Sequence, residues 1–421
     1  MRFIFIFLFT FFVGNTWSAL IDSVRFEGLT HTKSSYLERI VKSKPGLEYD
    51  SIRVSEDVCL LRNLNLFFNV ESRIDQKSKG QVDVIFIILE AKYIYPIFSI
   101  SGFKGQLKVN AGVNHINFLG RAQTLGGMYQ YYDRHSFSLY HTSKRHANSK
   151  TGHEVSIAKN STVEPLYFVD EDQGIDTVSS FNFDNYSVSL GGILWLGEYF
   201  NLSAGGQYMY EGYGQRDDAF TLPKKQFYFQ KGQARLSLEY NKVEYVFEHM
   251  EGLMAKVYGE YIGTKDYPEA SFLKGTAQVG YYHVVGERSN VAASAKFGLA
   301  TNNNSPFSPF VLDGFINVRG IGNRMQRGTG ELIVNLEYRY SFWRHRLFLV
   351  QAAVFSDYGS LRVAGGEFNT LFNQPELHLF TGGGLRFHLN TWYKTCFRVD
   401  YSVNPTDASM HGVTFGFGHF F

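Results

Sequence analysis

The stretch ELIVNLEYRYSF at residues 331–342 alternates strictly, and its two faces differ in kind. Leu332, Val334, Leu336, Tyr338 and Tyr340 fall on one side, while Asn335, Glu337 and Arg339 fall on the other. A period of two places successive side chains on opposite faces of a strand. The next stretch, LFLVQAAVFSDYG at 347–359, repeats the pattern, with Val350, Ala352, Val354 and Tyr358 opposed to Gln351, Ala353 and Asp357. A soluble β-sandwich also alternates. Three features favour a membrane wall instead. The segments reach the roughly 9–11 residues that cross a bilayer when tilted. Tyr and Phe gather near strand ends, as interfacial girdles require, and the second face is polar or charged, as a wet lumen permits.

The pattern extends outward in both directions. KGQARLSLEY (231–240), AKVYGEYIG (255–263), GTAQVGYYHVV (275–285), NVAASAKFGLA (290–300), LHLFTGGGLRFHL (377–389), CFRVDYS (396–402) and GVTFGFGHFF (412–421) alternate in the same way. The last of these groups Val413, Phe415, Phe417, His419 and Phe421 on one face. In lipid every backbone polar group must be paired, so such a sheet has to close. The 326 residues from Pro96 to Phe421 accommodate about 16 strands at roughly 20 residues per strand and connection. The expected fold is therefore a transmembrane antiparallel β-barrel over 96–421.

Composition agrees. Aromatic residues make up 17% of the chain, yet its mean hydropathy is −0.18. Beyond the N-terminus there is no apolar run of the about 20 residues that a membrane helix needs. A formal charge of +2 gives no general warrant for nucleic-acid binding. Met1, Arg2, the run FIFIFLFTFFV and the following GNTWSA have the anatomy of a signal peptide over 1–19. The apolar run is short for a membrane anchor. Export makes a disulfide conceivable, but Cys59 and Cys396 fall in different domains and are expected to remain unjoined.

Residues 20–95 read differently. IDSVRFEGL (21–29) alternates like a strand and closes at Gly28. Leu37, Ile40 and Val41 form a helical stripe within 33–42, and Val54, Val58, Leu61 and Leu64 form a second within 52–66. FFNVESRIDQKSKG and QVDVIFIILEAKY then supply two strands. Two helices on one face of a three-stranded sheet make a plausible small core. Such a sheet leaves an edge that either recruits an extended peptide by strand addition or serves only a spacer.

Chemistry is sparse. Glu337, Arg339, Asp357, Arg386, Arg398 and Asp400 fall on lumen-facing positions and can form hydrogen-bonded ion pairs. No HExxH, GxSxG, paired CxxC or P-loop occurs. His135, His141, His146 and His153 are too loosely spaced to argue for a metal site. No enzymatic activity, cofactor or metal is expected. The segment VLDGFINVRGIGNRMQRGTG (311–330) is rich in glycine and arginine, and reads either as an exterior loop or as a basic tip reaching inward around Arg319.

On these residues the chain resembles the outer-membrane assembly-factor superfamily, in which one or more POTRA domains precede a 16-stranded barrel. VRGIG (318–322) is similar to the family's VRG-aromatic loop motif, with Ile321 where an aromatic is usual. NLEYRY (335–340) and VFSDYGSL (354–361) are similar to its two partner motifs. The resemblance implies that Arg319, beside Gly320, folds into the lumen and is held by Glu337 and Asp357. It implies a C-terminal strand signal in Phe415, Phe417 and Phe421. It also implies a seam between a first strand near 103–113 and the last at 412–421. GLTHTKSSYLERIV, LLRNLNLFFNVESRI and GQVDVIFIILE resemble elements of a single POTRA domain, fewer than the principal bacterial insertase has.

The function so implied is assisted insertion of barrel proteins, or translocation of polypeptides, without covalent catalysis. The implied location is the outer membrane, with the POTRA domain in the periplasm. Its partners would be the lipid bilayer and unfolded outer-membrane or exported polypeptides, engaged through the POTRA edge and the seam; the family also admits periplasmic or lipoprotein accessory subunits. Two other functions stay open: a passive pore or structural surface protein, and a dedicated transporter for one secreted partner.

Overall fold

The computed structural model describes residues 19–421 apart from 65, 78–79, 102–106, 147–149, 170–174, 217–225, 247, 266–269, 303–307, 323–325, 374–377 and 390–395. The proposed signal peptide lies outside the described residues save for Ala19. The chain divides into two units, Met1–Glu90 and Ala91–Phe421.

In the first unit the order is β1 (Leu20–Glu27), α1 (Ser34–Ile40), α2 (Ser51–Asn63), β2 (Phe67–Lys77) and β3 (Gln81–Glu90). The most apolar strand, β3, lies in the middle, parallel to β1 and antiparallel to β2. Leu37, Val41, Val54 and Leu61 from the helices are buried along with Val70, Val84, Phe86 and Ile88 from the sheet. Burying such apolar surface is the main force holding so small a unit together. Asp50 caps α2 by accepting from the Ile52 amide. Asp57 accepts from the amides of Lys42 and Ser43, which ties the end of α1 to α2. Gly28 ends β1 with φ +87°, and a Cβ there would meet the Ile88 carbonyl oxygen at 2.1 Å. Only glycine fits that position. Residues 46–49 bond along the first part of β1 through Gly46, Leu47 and Tyr49, whereas β2 pairs with β3 alone among the described strands.

The second unit is a closed barrel of sixteen strands. They are β4 (Ile94–Ser101), β5 (Lys108–Phe118), β6 (Gln123–Tyr132), β7 (Arg134–Ser143), β8 (Thr151–Val169), β9 (Ile175–Trp195), β10 (Phe200–Gln215), β11 (Gln226–Val246), β12 (His249–Thr264), β13 (Phe272–Val285) and β14 (Ser289–Ala300). A short hairpin of β15 (Phe310–Leu312) and β16 (Gln326–Gly328) interrupts the series. The wall resumes with β17 (Gly330–Arg344), β18 (Phe348–Arg362), β19 (Leu379–Leu389), β20 (Cys396–Val403) and β21 (His411–Phe417). Outward Leu336, Tyr338, Tyr340 and Val354 are exposed, while inward Asn335, Glu337, Arg339 and Asp357 are buried. This is the reverse of a soluble protein's arrangement and the one that lipid demands. No helix among the described residues is long and apolar enough to cross a membrane.

Two expectations need correction. The barrel begins at Ile94, not at Pro96 or near 103, and residues 108–118 form its second strand; Pro96 sits within the first. Finally, β21 stops at Phe417. Gly418 adopts φ +87°, so His419 and Phe421 do not continue its outer face.

Candidate functional site

The segment between β14 and β17 enters the barrel. At its base a single turn forms as the amides of Ile316, Asn317 and Val318 bond to the Asp313 carbonyl. Asn317 closes the turn, its side chain accepting from the Asp313 amide and donating to the Val311 carbonyl. The Gly314 amide meets the Gly322 carbonyl at 2.5 Å and brings the two arms together. Phe310, Leu312, Val318 and Ile321 then pack with Ile333, Leu361 and Phe380 in an apolar cluster. Ile321, which stands where the motif usually has an aromatic, is 4% exposed and fits that cluster. Gly320 has φ +88°, and a Cβ there would lie 2.3 Å from Ser402 Oγ. The motif's glycine is thus required by both backbone and space.

This path delivers the Arg319 guanidinium to the acids of the wall. Its Nε and Nη2 donate to the two oxygens of Asp357 at 2.7 and 2.9 Å, a bidentate pair. Its Nη1 donates to Glu337 Oε2 at 2.5 Å, and its amide donates to Asp357 at 3.1 Å. The plane also lies against Phe355, 3.5 Å from the ring centroid, and 4.4 Å from that of Phe420. Asn335 fills a remaining site on Asp357 at 2.9 Å while bonding the Asn317 carbonyl.

The pairs continue around the wall. Arg339 donates to Glu337 at 2.6 Å, and Arg386 bridges Glu337 at 3.0 Å and Asp400 at 2.6 Å. Arg398 reaches Asp400 at 3.1 Å. Lys108 of β5 pairs with Asp313 of the loop at 3.2 Å, and Arg327 pairs with Glu164 of β8, so the segment is tied to several strands. Every residue read from the sequence as lumen-facing is therefore brought into one network. Each of its three carboxylates, on Glu337, Asp357 and Asp400, accepts from more than one buried side chain, which suits holding a loop.

The C-terminal residues divide. Phe415 is exposed on the outer face and Phe417 stacks edge-on against outward Phe397. Phe421 instead packs against the cluster of Met250, Tyr282 and Ala292. Of the scattered histidines, His153 meets His141 through one ring nitrogen and His146 through the other, at 3.0 and 3.1 Å. His135 pairs with Tyr129 elsewhere. One convergence went unread in the sequence: His388, Cys396 and His419 place their ligand atoms within 4.8 Å of one another.

Residues 117–421 match the Omp85 superfamily domain, and residues 19–91 match a POTRA module described as a surface antigen variable number repeat. The chain belongs to the Omp85 superfamily. No curated protein matches it. Among solved structures, this Omp85 chain is similar to CdiB from Acinetobacter baumannii at 12% identity, TM-score 0.62, covering 95% of this chain and 74% of that one. CdiB from Escherichia coli gives 13% identity, TM-score 0.62 and coverages of 96% and 76%. BamA from Haemophilus ducreyi lacking POTRA domains 1–3 gives 15% identity, TM-score 0.55 and coverages of 95% and 84%. At such identities these structures speak for the fold. This Omp85 protein is an outer-membrane β-barrel with one matched POTRA domain on the periplasmic side.

Proposed function

We propose that this protein hands polypeptides into or across the outer membrane without covalent chemistry, capturing an extended client at the POTRA sheet edge and engaging it at the barrel seam. The observations that carry the proposal are a barrel closed between its first and last strands, with Phe415 of β21 opposite Ile100 of β4, and a matched POTRA module whose β2 pairs with β3 alone among the described strands. A client strand that enters there exchanges one set of backbone hydrogen bonds for another, because every strand edge in lipid needs a partner.

On the periplasmic unit, β2 offers an edge for strand addition. The Arg319 network, on this reading, shapes and stabilises the wall beside the seam. A lumen entered by residues 310–322, with Arg319 on Glu337 and Asp357, favours this function over a passive pore.

The test is reconstitution in lipid vesicles with unfolded barrel substrates. The full chain should accelerate their insertion, and a chain lacking 20–90 should lose most of the effect. Joining the seam through Ile100→Cys with Phe415→Cys, in a background without Cys59 and Cys396, should block activity when oxidised and restore it when reduced. Equal insertion in the oxidised and reduced states would remove the seam from the mechanism.

A further inference from the structure

We propose that His388, Cys396 and His419 form a binding site for a soft, thiophilic metal ion, which pins the tail behind the last strand to β19 and β20. The backbone builds the site. His388 and Cys396 are directly opposite each other in the β19–β20 register. The Gly418 amide donates to the Cys396 carbonyl at 2.7 Å, and the left-handed turn at Gly418 delivers His419 to the same spot. His419 Nδ1 lies 4.0 Å from Cys396 Sγ, and the His388 and His419 ring centroids are 5.7 Å apart.

These spacings suit an ion between the ligands. With bonds of about 2.3 Å to sulfur and about 2.0 Å to nitrogen, the two donors stand roughly 3.5 Å apart in tetrahedral and roughly 4.3 Å in linear coordination. The 4.0 Å separation lies between these limits.

A supporting shell is also present. The Gln351 amide donates to Ser341 Oγ at 3.0 Å, so its Oε1 is the atom that meets His388 Nε2 at 2.9 Å. His388 then carries its proton on Nε2 and its lone pair on Nδ1. Metal-bound histidines are oriented by such a partner on the second nitrogen. Cys396 is 1% exposed and His388 6%, so the site is dry enough to protect a bound thiolate.

Ligand chemistry sets the class of ion. One thiolate and two imidazoles select Cu(I) or Zn(II) over hard cations. Arg386 and Arg398 stand two residues away on the same faces as His388 and Cys396. Their charge favours the thiolate and opposes added positive charge, so Cu(I) should bind more tightly than Zn(II). On binding, the thiol proton leaves to solvent.

The test uses the full chain carrying Cys59→Ser, folded in detergent micelles and titrated anaerobically with Cu(I) and, separately, with Zn(II). One equivalent should bind. It should slow carboxypeptidase release of Phe421. This readout needs no further variant that might misfold. Cys396→Ser should abolish the protection of Phe421. His419→Ala should lower affinity by at least the roughly 10–100-fold that losing a supporting contact costs a metal site. Failure of both ions to bind stoichiometrically would overturn the proposal. So would binding that survives Cys396→Ser, and loss of that binding with His153→Ala would assign it to the histidine stack instead.

Discussion

Arginines and carboxylates meet on two sides of this barrel under opposite conditions. On β17–β20, and on the loop that brings in Arg319, the side chains of Arg319, Arg339, Arg386 and Arg398 and their acids are 0–4% exposed. On β7–β11 the pair Arg134–Asp184 is 27% and 30% exposed, and Arg235–Glu154 is 23% and 36%. The residue types are the same. What differs is the loop residues 310–322, which pack and pair against one side of the lumen and bury it. Where water is gone, an ion can rest only on its partners, and removing one strands the others. Where water remains, it replaces a lost partner at small cost. The dry wall also adjoins the seam between β21 and β4.

The largest effect that can break this comparison comes from Arg319→Ala. It leaves Glu337 and Asp357 buried without their central donor, an expected loss of about 3–5 kcal/mol. Heat-modified gel mobility and the urea midpoint of the folded barrel should both fall. Arg319→Glu with Glu337→Arg should recover part of the loss relative to Arg319→Glu alone. An Arg319→Ala barrel as stable as the parent would show that the apolar cluster around Val318 and Ile321 holds the loop unaided. Gly320→Ala comes next. A side chain at φ +88° with Ser402 Oγ in its path should cost about 1–3 kcal/mol by the same measurements.

The two sides also differed in how readily the sequence revealed them. Alternation in 331–342 and 347–359 put Glu337, Arg339 and Asp357 on one face without any structure, and a resemblance at VRGIG added Arg319. Those strands combine apolar outer positions with charged inner ones, so their period is plain. The wetter strands β7–β9 were obscured because polar residues and aromatics share both faces, as in FNFDNYS at 181–187. The C-terminal tail misled for another reason. Phe417, His419 and Phe421 keep a period of two, and periodicity cannot register that Gly418 turns the backbone. Cys396 shares its parity with Arg398 and Asp400, so its inward direction was readable. Its meeting with His388 and His419 needed the strand register.

Between the dry and wet extremes stands Glu90 at the end of β3. Its carboxylate accepts from Thr30 Oγ1 at 2.5 Å and from the amides of His31 and Thr32 at 2.9 and 2.8 Å. Burial pushes its carboxyl up, but hydrogen bonds from Thr30, Thr32 and His31 outweigh this and hold it below the usual glutamate range. A carboxyl depressed in the folded state adds stability that is present above its unfolded value and lost as pH falls through the folded one. Glu90→Gln should therefore weaken the POTRA unit at pH 7, with the difference shrinking as the pH drops below the ordinary glutamate range. The helical circular-dichroism signal reports on this unit, since both described α-helices lie in it.

The smallest effect is expected on the wet side. Arg134 donates from one Nη2 to both oxygens of Asp184, at 2.8 and 2.6 Å, while Ser161 Oγ donates to the same acid at 2.5 Å. Removing the guanidinium leaves that carboxylate a hydroxyl donor and access to water, so Arg134→Ala should cost under about 1 kcal/mol. Its cost should shrink further when the urea midpoint is measured in 1 M salt, where screening acts over about 3 Å. The Arg319→Ala loss should change little under the same salt, because ions do not enter a dry cluster. If both variants lose stability equally and respond equally to salt, water reaches the two sides alike and the 310–330 loop does not seal its wall.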